Sequence, residues 1–189
     1  VLIAGPAVVE RALGEKKTKE ELGGAHVHTK NGVIDNVADN EAHAFLQIRN
    51  FLSYLPANVW ELPPITVSND APDRKEPALR DMIPRDRRKL YNMRTLISHV
   101  IDTESFFEIG SEYGRGQITG LARLSGQPVG IWANNCRYLA GAMTALGARK
   151  ARRFIEFCET FHLPIICFVD EPGFMIGSKA EQEGTIRDG

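Results

Sequence analysis

The sequence has few of the features that mark membrane, disulfide-linked or nucleic-acid-binding proteins. Its apolar runs are about as long as a β-strand, far short of the roughly 18 residues that a membrane span needs. It has three cysteines and no CxxC pair, so no disulfide framework is expected and a reducing compartment fits best. With 23 basic and 24 acidic residues, the formal net charge is -1, which argues against a general nucleic-acid binder.

Side-chain motifs for nucleotide, metal or acid–base chemistry are also missing. The glycines form neither a P-loop nor a GxGxxG motif after a strand, so no nucleotide site is predicted. His26 and His28 would share a face in an extended segment, but no third ligand has a metal-site spacing. Asp170 and Glu171 are adjacent and should point apart. We therefore assign no metal site and no catalytic side chain.

Six of the ten prolines fall between positions 56 and 84, together with a series of polar residues. Proline fixes φ and lacks an amide donor, so a long helix or central strand is improbable there. We predict three parts: residues 1–55, an extended connector at 56–84, and residues 85–189. The chain has neither an initiator Met nor a leader segment, and we expect it to be an internal piece of a longer protein.

Residues 1–55 are predicted to be mostly helical. Pro6 suits the first turn of a helix that ends at Gly14. Thr18 and Glu21 match a capping box for a second helix, which Gly23 and Gly24 would end. Asn40 is a suitable cap for a helix that continues toward residue 55. The apolar segment 33–37 is predicted to form a short strand.

Residues 85–189 have the pattern of a layered α/β fold. Helical spacing is seen over 90–100 and 146–161, and strands are predicted at 117–124, 128–134 and 163–169. Residues 163–169 are continuously apolar, as in a strand that is buried on both faces. A strand, a helix and a buried strand in succession predict a right-handed crossover.

Two basic clusters occur in this part, Arg85, Arg87, Arg88 and Lys89 in the first, and Arg149, Lys150, Arg152 and Arg153 in the second. The second cluster falls opposite the apolar stripe of its helix, which predicts a solvated face. The cysteines Cys136, Cys158 and Cys167 lie in apolar or helical contexts and are predicted to be packed thiols.

The turn from Asp170 to Gly177 is the strongest candidate for a site. Ligands of open α/β folds gather outside the carboxyl ends of strands, where this turn is predicted. Gly173 and Gly177 would let the backbone approach a ligand closely and direct amide groups at a negative charge. A tight strand-to-helix turn without a ligand is the alternative.

Short motifs along the whole chain resemble one protein family. They are GPAVV (5–9), EELGGA (20–25) with His28, FLSYLP (51–56), PP (63–64), FFEI (106–109), GQPVG (126–130), AN (133–134), RFIEFC (153–158), LPI (163–165) and VDEPGF (169–174). In order and spacing they resemble the carboxyltransferase (β) subunit of propionyl-CoA and acetyl-CoA carboxylases, in the crotonase superfamily.

The resemblance implies an α/β, crotonase-like layered fold of two related domains. This chain would span the end of the first domain, the connector and the start of the second. The implied reaction moves a carboxyl group from carboxybiotin to the α-carbon of an acyl-CoA, such as propionyl-CoA or acetyl-CoA. The implied partners are the acyl-CoA, a biotin carboxylase or biotin carrier subunit, and further copies of the parent subunit. The implied location is the cytoplasm, or the mitochondrial matrix in a eukaryote.

The same resemblance implies which positions line the site. Gly173, Phe174 and Gly177 would line the biotin side, and Gly23, Gly24 and His28 the acyl-CoA side. The Gly-rich loops that form the family's main oxyanion holes lie outside the matched region, so the 189-residue chain alone is expected to be inactive. Asn92 and Glu171 depart from the family pattern. Two alternatives keep the fold: a subunit of a biotin-dependent acyl-CoA decarboxylase, and a non-catalytic scaffold.

Overall fold

The computed structural model describes residues 1–71, 73–86 and 88–189. Two positions used above, Pro72 of the connector and Arg87 of the first basic cluster, lie outside the described residues. The structure contains both helices and strands, as the sequence pattern predicts.

The strands form one mixed sheet in the described ranges. They are β1 (Phe107–Ile109), β2 (Gln117–Leu124), β3 (Gln127–Asn134) and β4 (Ile165–Phe168), in this spatial order. β1 and β2 are antiparallel, as are β2 and β3, whereas β3 and β4 are parallel. The predicted hairpin at 117–134 is confirmed, and its turn places Ser125 and Gly126 at positive φ.

The helices in the described ranges include those that the sequence predicts and four further short ones that it does not. They are α1 (Pro6–Leu13), α2 (Lys19–Gly23), α3 (Ala25–Asn31), α4 (Glu41–Ser53), α5 (Leu79–Met82), α6 (Met93–Val100), α7 (Ala145–Thr160), α8 (Ser178–Gln182) and α9 (Thr185–Asp188). Thr18 and Glu21 form the predicted capping box, and Asn40 Oδ1 accepts from the His43 amide at 2.9 Å. These caps satisfy amide groups that a helix start would otherwise leave unpaired.

The sheet carries an apolar cluster on each face. One cluster joins Ile118 and Ala122 of β2 to Met93 and Ile97 of α6. The other joins Leu121 of β2 to side chains of α7 and of the α4 end, namely Phe154, Cys158, Phe51 and Tyr54. Because side chains alternate along β2, the strand contributes to both clusters and is buried on both faces.

The connector follows the surface of the 85–189 part and is hydrogen-bonded to it. The Thr66 amide donates to Gly126 O at 3.1 Å, and Arg123 donates to Pro64 O at 3.0 Å. Arg74 donates to the carbonyls of His99 and Ile101 at 3.0 and 2.9 Å. The connector therefore lies against the turn between β2 and β3 and against the end of α6.

Two strand predictions are wrong in detail. Residues 33–37, which follow the end of α3 at Asn31, form no strand. Asn36 binds the β1 backbone through its side chain, donating to Glu108 O at 2.9 Å. β4 is shorter than residues 163–169 and only partly buried, and Cys167 is exposed. The reason is that β4 is an edge strand: of the described strands, β3 alone pairs with it.

Candidate functional site

The turn that follows β4 is open to solvent. Gly173 and Gly177 have φ of 121° and 110°, values that residues with a side chain rarely adopt. A Cβ atom built at either glycine would meet nothing within 4 Å. Pro172 and Phe174 are exposed, with 48% of Phe174 accessible. This backbone can therefore be approached closely by a ligand or by another protein.

A short backbone ladder anchors the middle of the turn. The Met143 amide donates to Gly173 O at 3.0 Å, and the Met175 amide donates to Met143 O at 2.7 Å. Phe174 thus forms a parallel bridge with Met143. The amides of Gly173 and Phe174 donate to no acceptor in the described parts of the chain. Two neighbouring main-chain donors are therefore free to bind an anionic or carbonyl oxygen.

The start of the turn is tied to the end of β3 through Asn134. Asn134 Oδ1 accepts from the Asp170 amide at 3.0 Å, and its Nδ2 donates to Gly141 O and to Glu171 Oε2, both at 3.2 Å. The two carboxylates have different partners, since Asn134 binds that of Glu171 and Tyr91 binds that of Asp170. Asn134 belongs to the AN motif at 133–134, for which the sequence predicted no role. Its position at the carboxyl end of a parallel strand could have indicated a role at the site.

A second contact holds the Asp170 carboxylate from the protein core. Tyr91 OH donates to Asp170 Oδ2 at 2.8 Å, and the Cys136 thiol donates to the same oxygen at 3.2 Å. Tyr91 and Cys136 are both buried. Burial raises the pKa of Tyr91, and the hydrogen bond to Asp170 raises it further. Burial also raises the pKa of Cys136, so both side chains remain protonated donors near neutral pH.

The predicted acyl-CoA residues form a separate cluster. Gly23 and Gly24 lie at the junction of α2 and α3, and Gly23 O accepts from the Val1 amino group at 3.1 Å. His28 Nε2 lies 2.7 Å from Val1 O, and His28 Nδ1 lies 3.2 Å from Asn31 Nδ2. Among the described residues, no hydrogen bond joins this cluster to the turn at 170–177. Its role in binding acyl-CoA stays a prediction.

His26 and His28 do not lie in an extended segment, the case in which they would share a face. Both are in α3, and residues two apart on a helix point to different sides. No group of three or more His, Cys, Asp or Glu side chains that could hold a metal ion occurs in the part of the chain described.

Lys150 is the largest departure from the sequence prediction. It is 2% exposed, and its Nζ donates to Gly110 O and Gln117 O, both at 2.7 Å. Burial lowers the pKa of Lys150 to about 8. The burial of Lys150 could have been predicted from the sequence, because Lys150, Phe154 and Cys158 lie on one face of α7 at spacings of four. The apolar stripe is rotated toward Lys150, which leaves Ile155 36% exposed.

Comparison with known proteins gives one family over the whole chain. The carboxyl transferase domain matches residues 1–189. The chain belongs to the carboxyl transferase domain family. It is 43% identical over 99% of its length to the uncharacterized carboxylase YngE of Bacillus subtilis, and covers 37% of that protein. It is 38% identical over its full length to the mitochondrial propionyl-CoA carboxylase beta chain of Homo sapiens, covering 35% of it.

Solved structures of this family have the same fold. A hexameric transcarboxylase 12S structure, with methylmalonyl-coenzyme A and methylmalonic acid bound, superposes with a TM-score of 0.94 at 34% identity. It matches 99% of this chain and 36% of its own. A single-chain, multi-domain long-chain acyl-CoA carboxylase gives a TM-score of 0.82 at 33% identity, over 100% of this chain and 18% of its own.

These findings confirm the predicted α/β, crotonase-like fold and the predicted carboxyltransferase family. The chain spans a little over a third of the length of the curated relatives it matches. None of the helices described here is long and apolar enough to cross a membrane.

Proposed function

We propose that this chain is part of the carboxyltransferase component of a biotin-dependent acyl-CoA carboxylase. The carboxyl group of carboxybiotin would be transferred to the α-carbon of an acyl-CoA, with propionyl-CoA and acetyl-CoA as the expected acceptors. The observation that carries the proposal is the open turn after β4, where the amides of Gly173 and Phe174 have no acceptor among the described residues. The similarity to propionyl-CoA carboxylase beta chains supports it.

The open backbone of the turn supports a role on the biotin side. Gly173 leaves room for a flat ring to approach the backbone, and the neighbouring Phe174 side chain is half exposed. Carboxybiotin would supply the carboxyl group when bound. The chain's own contribution is then to bind the ring by shape and to donate main-chain N–H groups to an oxygen that gains negative charge. In other enzymes such a donor contributes about 3–4 kcal/mol.

The remaining parts of the proposal concern the complete protein. We propose that residues 1–55 belong to a first carboxyltransferase domain and 85–189 to a second, with 56–84 between them. Gly23, Gly24 and His28 would lie on the acyl-CoA side, and Gly173, Phe174 and Gly177 on the biotin side. A biotin carrier subunit and further copies of the parent subunit would be the partners. The expected location is the cytoplasm, or the mitochondrial matrix in a eukaryote.

The test is a carboxylation assay on the complete protein in its native complex. Fixation of labelled bicarbonate, driven by ATP, is measured with propionyl-CoA and acetyl-CoA as acceptors. We expect transfer to at least one of them. In the reverse reaction, with free biotin as the acceptor of the carboxyl group of methylmalonyl-CoA, the Phe174→Ala variant should show an about tenfold higher KM for biotin, since an aromatic contact is lost. Ile186→Ala, an exposed apolar position in α9, is the matched control and should change nothing. Absence of transfer by the wild-type complex would refute the proposal.

A decarboxylase subunit is the second candidate. The chain is 38% identical over its full length to methylmalonyl-CoA decarboxylase subunit alpha of Veillonella parvula, the same identity as to the human carboxylase chain. Decarboxylation of malonyl-CoA and methylmalonyl-CoA is compared with ATP-driven carboxylation in the native complex. Faster decarboxylation without ATP would favour this candidate, and a non-catalytic scaffold would show neither activity.

A further inference from the structure

The turn at 170–177 has little packing of its own to hold it. Space is open around Gly173 and Gly177, and the neighbouring Pro172 and Phe174 are exposed. Glycine at positive φ also allows many backbone conformations in the absence of other restraints. Apart from the bridge to Met143 in the middle of the turn, the orientation of the Gly173 and Phe174 amides is therefore set by contacts at its start.

Asn134 supplies two such contacts from a rigid position. It is the last residue of β3, it is 4% exposed, and it joins the Asp170 amide, Gly141 O and Glu171 Oε2 in three hydrogen bonds. Its amide group can have only one orientation here. The reverse orientation would set Nδ2 against the Asp170 N–H group and Oδ1 against two acceptors.

Tyr91 supplies a contact from the core on the α6 face of the sheet. Its ring packs in the same cluster as Ile97 and Ile131, which are fully buried, so its hydroxyl has a fixed position. That hydroxyl donates to Asp170 Oδ2 at 2.8 Å, and Cys136 adds a second donor to the same oxygen. A charge-assisted hydrogen bond from a buried donor is stronger than a neutral one.

We propose that Asn134 and Tyr91 are positioning residues for the turn that carries the Gly173 and Phe174 amides. They connect the ordered end of the sheet to a segment that must point its donors accurately. Main-chain donors act through preorganisation, and displacement by about 1 Å can cost a hundredfold in rate. The effect on catalysis rests on the proposed function, whereas the effect on the order of the turn does not.

The first test measures amide hydrogen exchange in the complete protein. Asn134→Ala removes the acceptor of the Asp170 amide, so exchange at Asp170 should become roughly tenfold faster, the effect of losing one hydrogen bond. Exchange at Met175, whose amide donates to Met143 O, should rise less, through loosening of the turn. Tyr91→Phe keeps the ring in the core and should give a smaller increase at the same amides. Tyr113→Phe is the matched control, because this buried tyrosine donates no hydroxyl hydrogen bond to any described residue.

The second test separates the two substrates kinetically. Both variants should raise the KM for free biotin or lower kcat several-fold, and the KM for the acyl-CoA should stay within twofold of the wild type. Unchanged exchange at Asp170 and Met175 in Tyr91→Phe and in Asn134→Ala would overturn the proposal, and so would equal changes in both KM values. If the wild-type complex transfers no carboxyl group, the proposed function fails, and the exchange data still decide whether Asn134 and Tyr91 order the turn.

Discussion

Residues 1–84 and residues 85–189 differ in how they bury their apolar side chains. In the described part of the first region, Tyr54 is the only large apolar side chain that is buried. The outer side of α4 leaves Phe45, Leu46, Ile48 and Leu52 between 52% and 66% exposed. In the second region, both faces of the sheet are covered by helices and form clusters with fully buried members.

The difference follows from the presence of a sheet in only one region. β2 and β3 offer two faces on which α6 and α7 can pack, so residues 85–189 supply most of their own core. The helices α1 to α4 have no described strand of their own region to cover. α4 reaches the core only at its end, where Phe51 stacks on Phe157 with ring centroids 5.7 Å apart. Exposed apolar area of this extent is typical of a surface that another part of a protein covers.

Replacing one phenylalanine by alanine in each region should show most clearly how differently the two regions are packed. Phe154 is 5% exposed in the cluster on the α7 face, so Phe154→Ala should lower the free energy of unfolding by about 4 kcal/mol. Phe45 is 53% exposed, and Phe45→Ala should lower it by less than about 1 kcal/mol. Urea denaturation of the chain measures both changes. Equal losses would show that the two regions form one evenly packed core.

The effects of the same two substitutions can also be compared between the complete protein and the 189-residue chain. If another segment or subunit covers α4, Phe45→Ala should lower the free energy of unfolding more in the complete protein than in the 189-residue chain. The loss for Phe154→Ala should be similar in both, because its neighbours all belong to this chain.

Lys150 makes the second region sensitive to pH. Its pKa is about 8 in the folded chain, against 10.5 for an ordinary lysine. Between these values the unfolded chain holds a proton that the folded chain has released, so stability rises with pH, by up to about 1.4 kcal/mol per unit. Burial raises the pKa of Cys158 to about 12, which has the opposite effect above pH 9. The rise is therefore best measured between pH 8 and 9.

The control for this prediction is Lys150→Met, which keeps the length of the side chain and removes the titrating group. Wild type should gain about 1 kcal/mol relative to this variant between pH 8 and 9. The variant should also be less stable, because the carbonyls of Gly110 and Gln117 lose their donor. Parallel stability curves for the two proteins would contradict the lowered pKa.

The smallest expected effect concerns an ion pair between the two regions. Arg153 of α7 pairs with Asp35 and donates to Gly32 O at 2.9 Å, and both charged side chains are nearly half exposed. Asp35→Asn should lower the free energy of unfolding by less than about 1 kcal/mol, and this loss should be smaller at high salt. Asp39→Asn is the matched control, since Asp39 pairs with His43 inside the first region. A loss of several kcal/mol for Asp35→Asn would mean that this contact holds the regions together.

Local signals in the sequence were enough for the elements that depend on neighbouring residues. The caps at Thr18 and Asn40 and the hairpin at 117–134 are where the pattern predicts them. The predictions that depend on distant partners were less accurate. A strand at 33–37 was wrong because the Asn36 side chain, not a backbone ladder, binds β1, and the double burial of β4 was wrong because it lies at the sheet edge.

At the candidate site too, the features set by neighbouring residues were predicted and the contacts between distant residues were not. Gly173 and Phe174 could be chosen from a resemblance and from their place after a strand, and the structure places them in an open turn. Asn134 and Tyr91 could not be given a role, because they meet Asp170 only after β3, β4 and the segment before α6 have packed together.

Sequence patterns were sufficient for the family, the helix caps, the hairpin and the glycines of the turn. The caps, the hairpin and the turn depend on residues a few positions apart, and the family on motifs that follow one another along the whole chain. Tertiary structure alone decided that Lys150 is buried with a lowered pKa, that β4 is an edge strand, and that Asn134 and Tyr91 hold the turn. These properties depend on which distant groups share one location, since burial and hydrogen bonding across elements exist only in the folded chain.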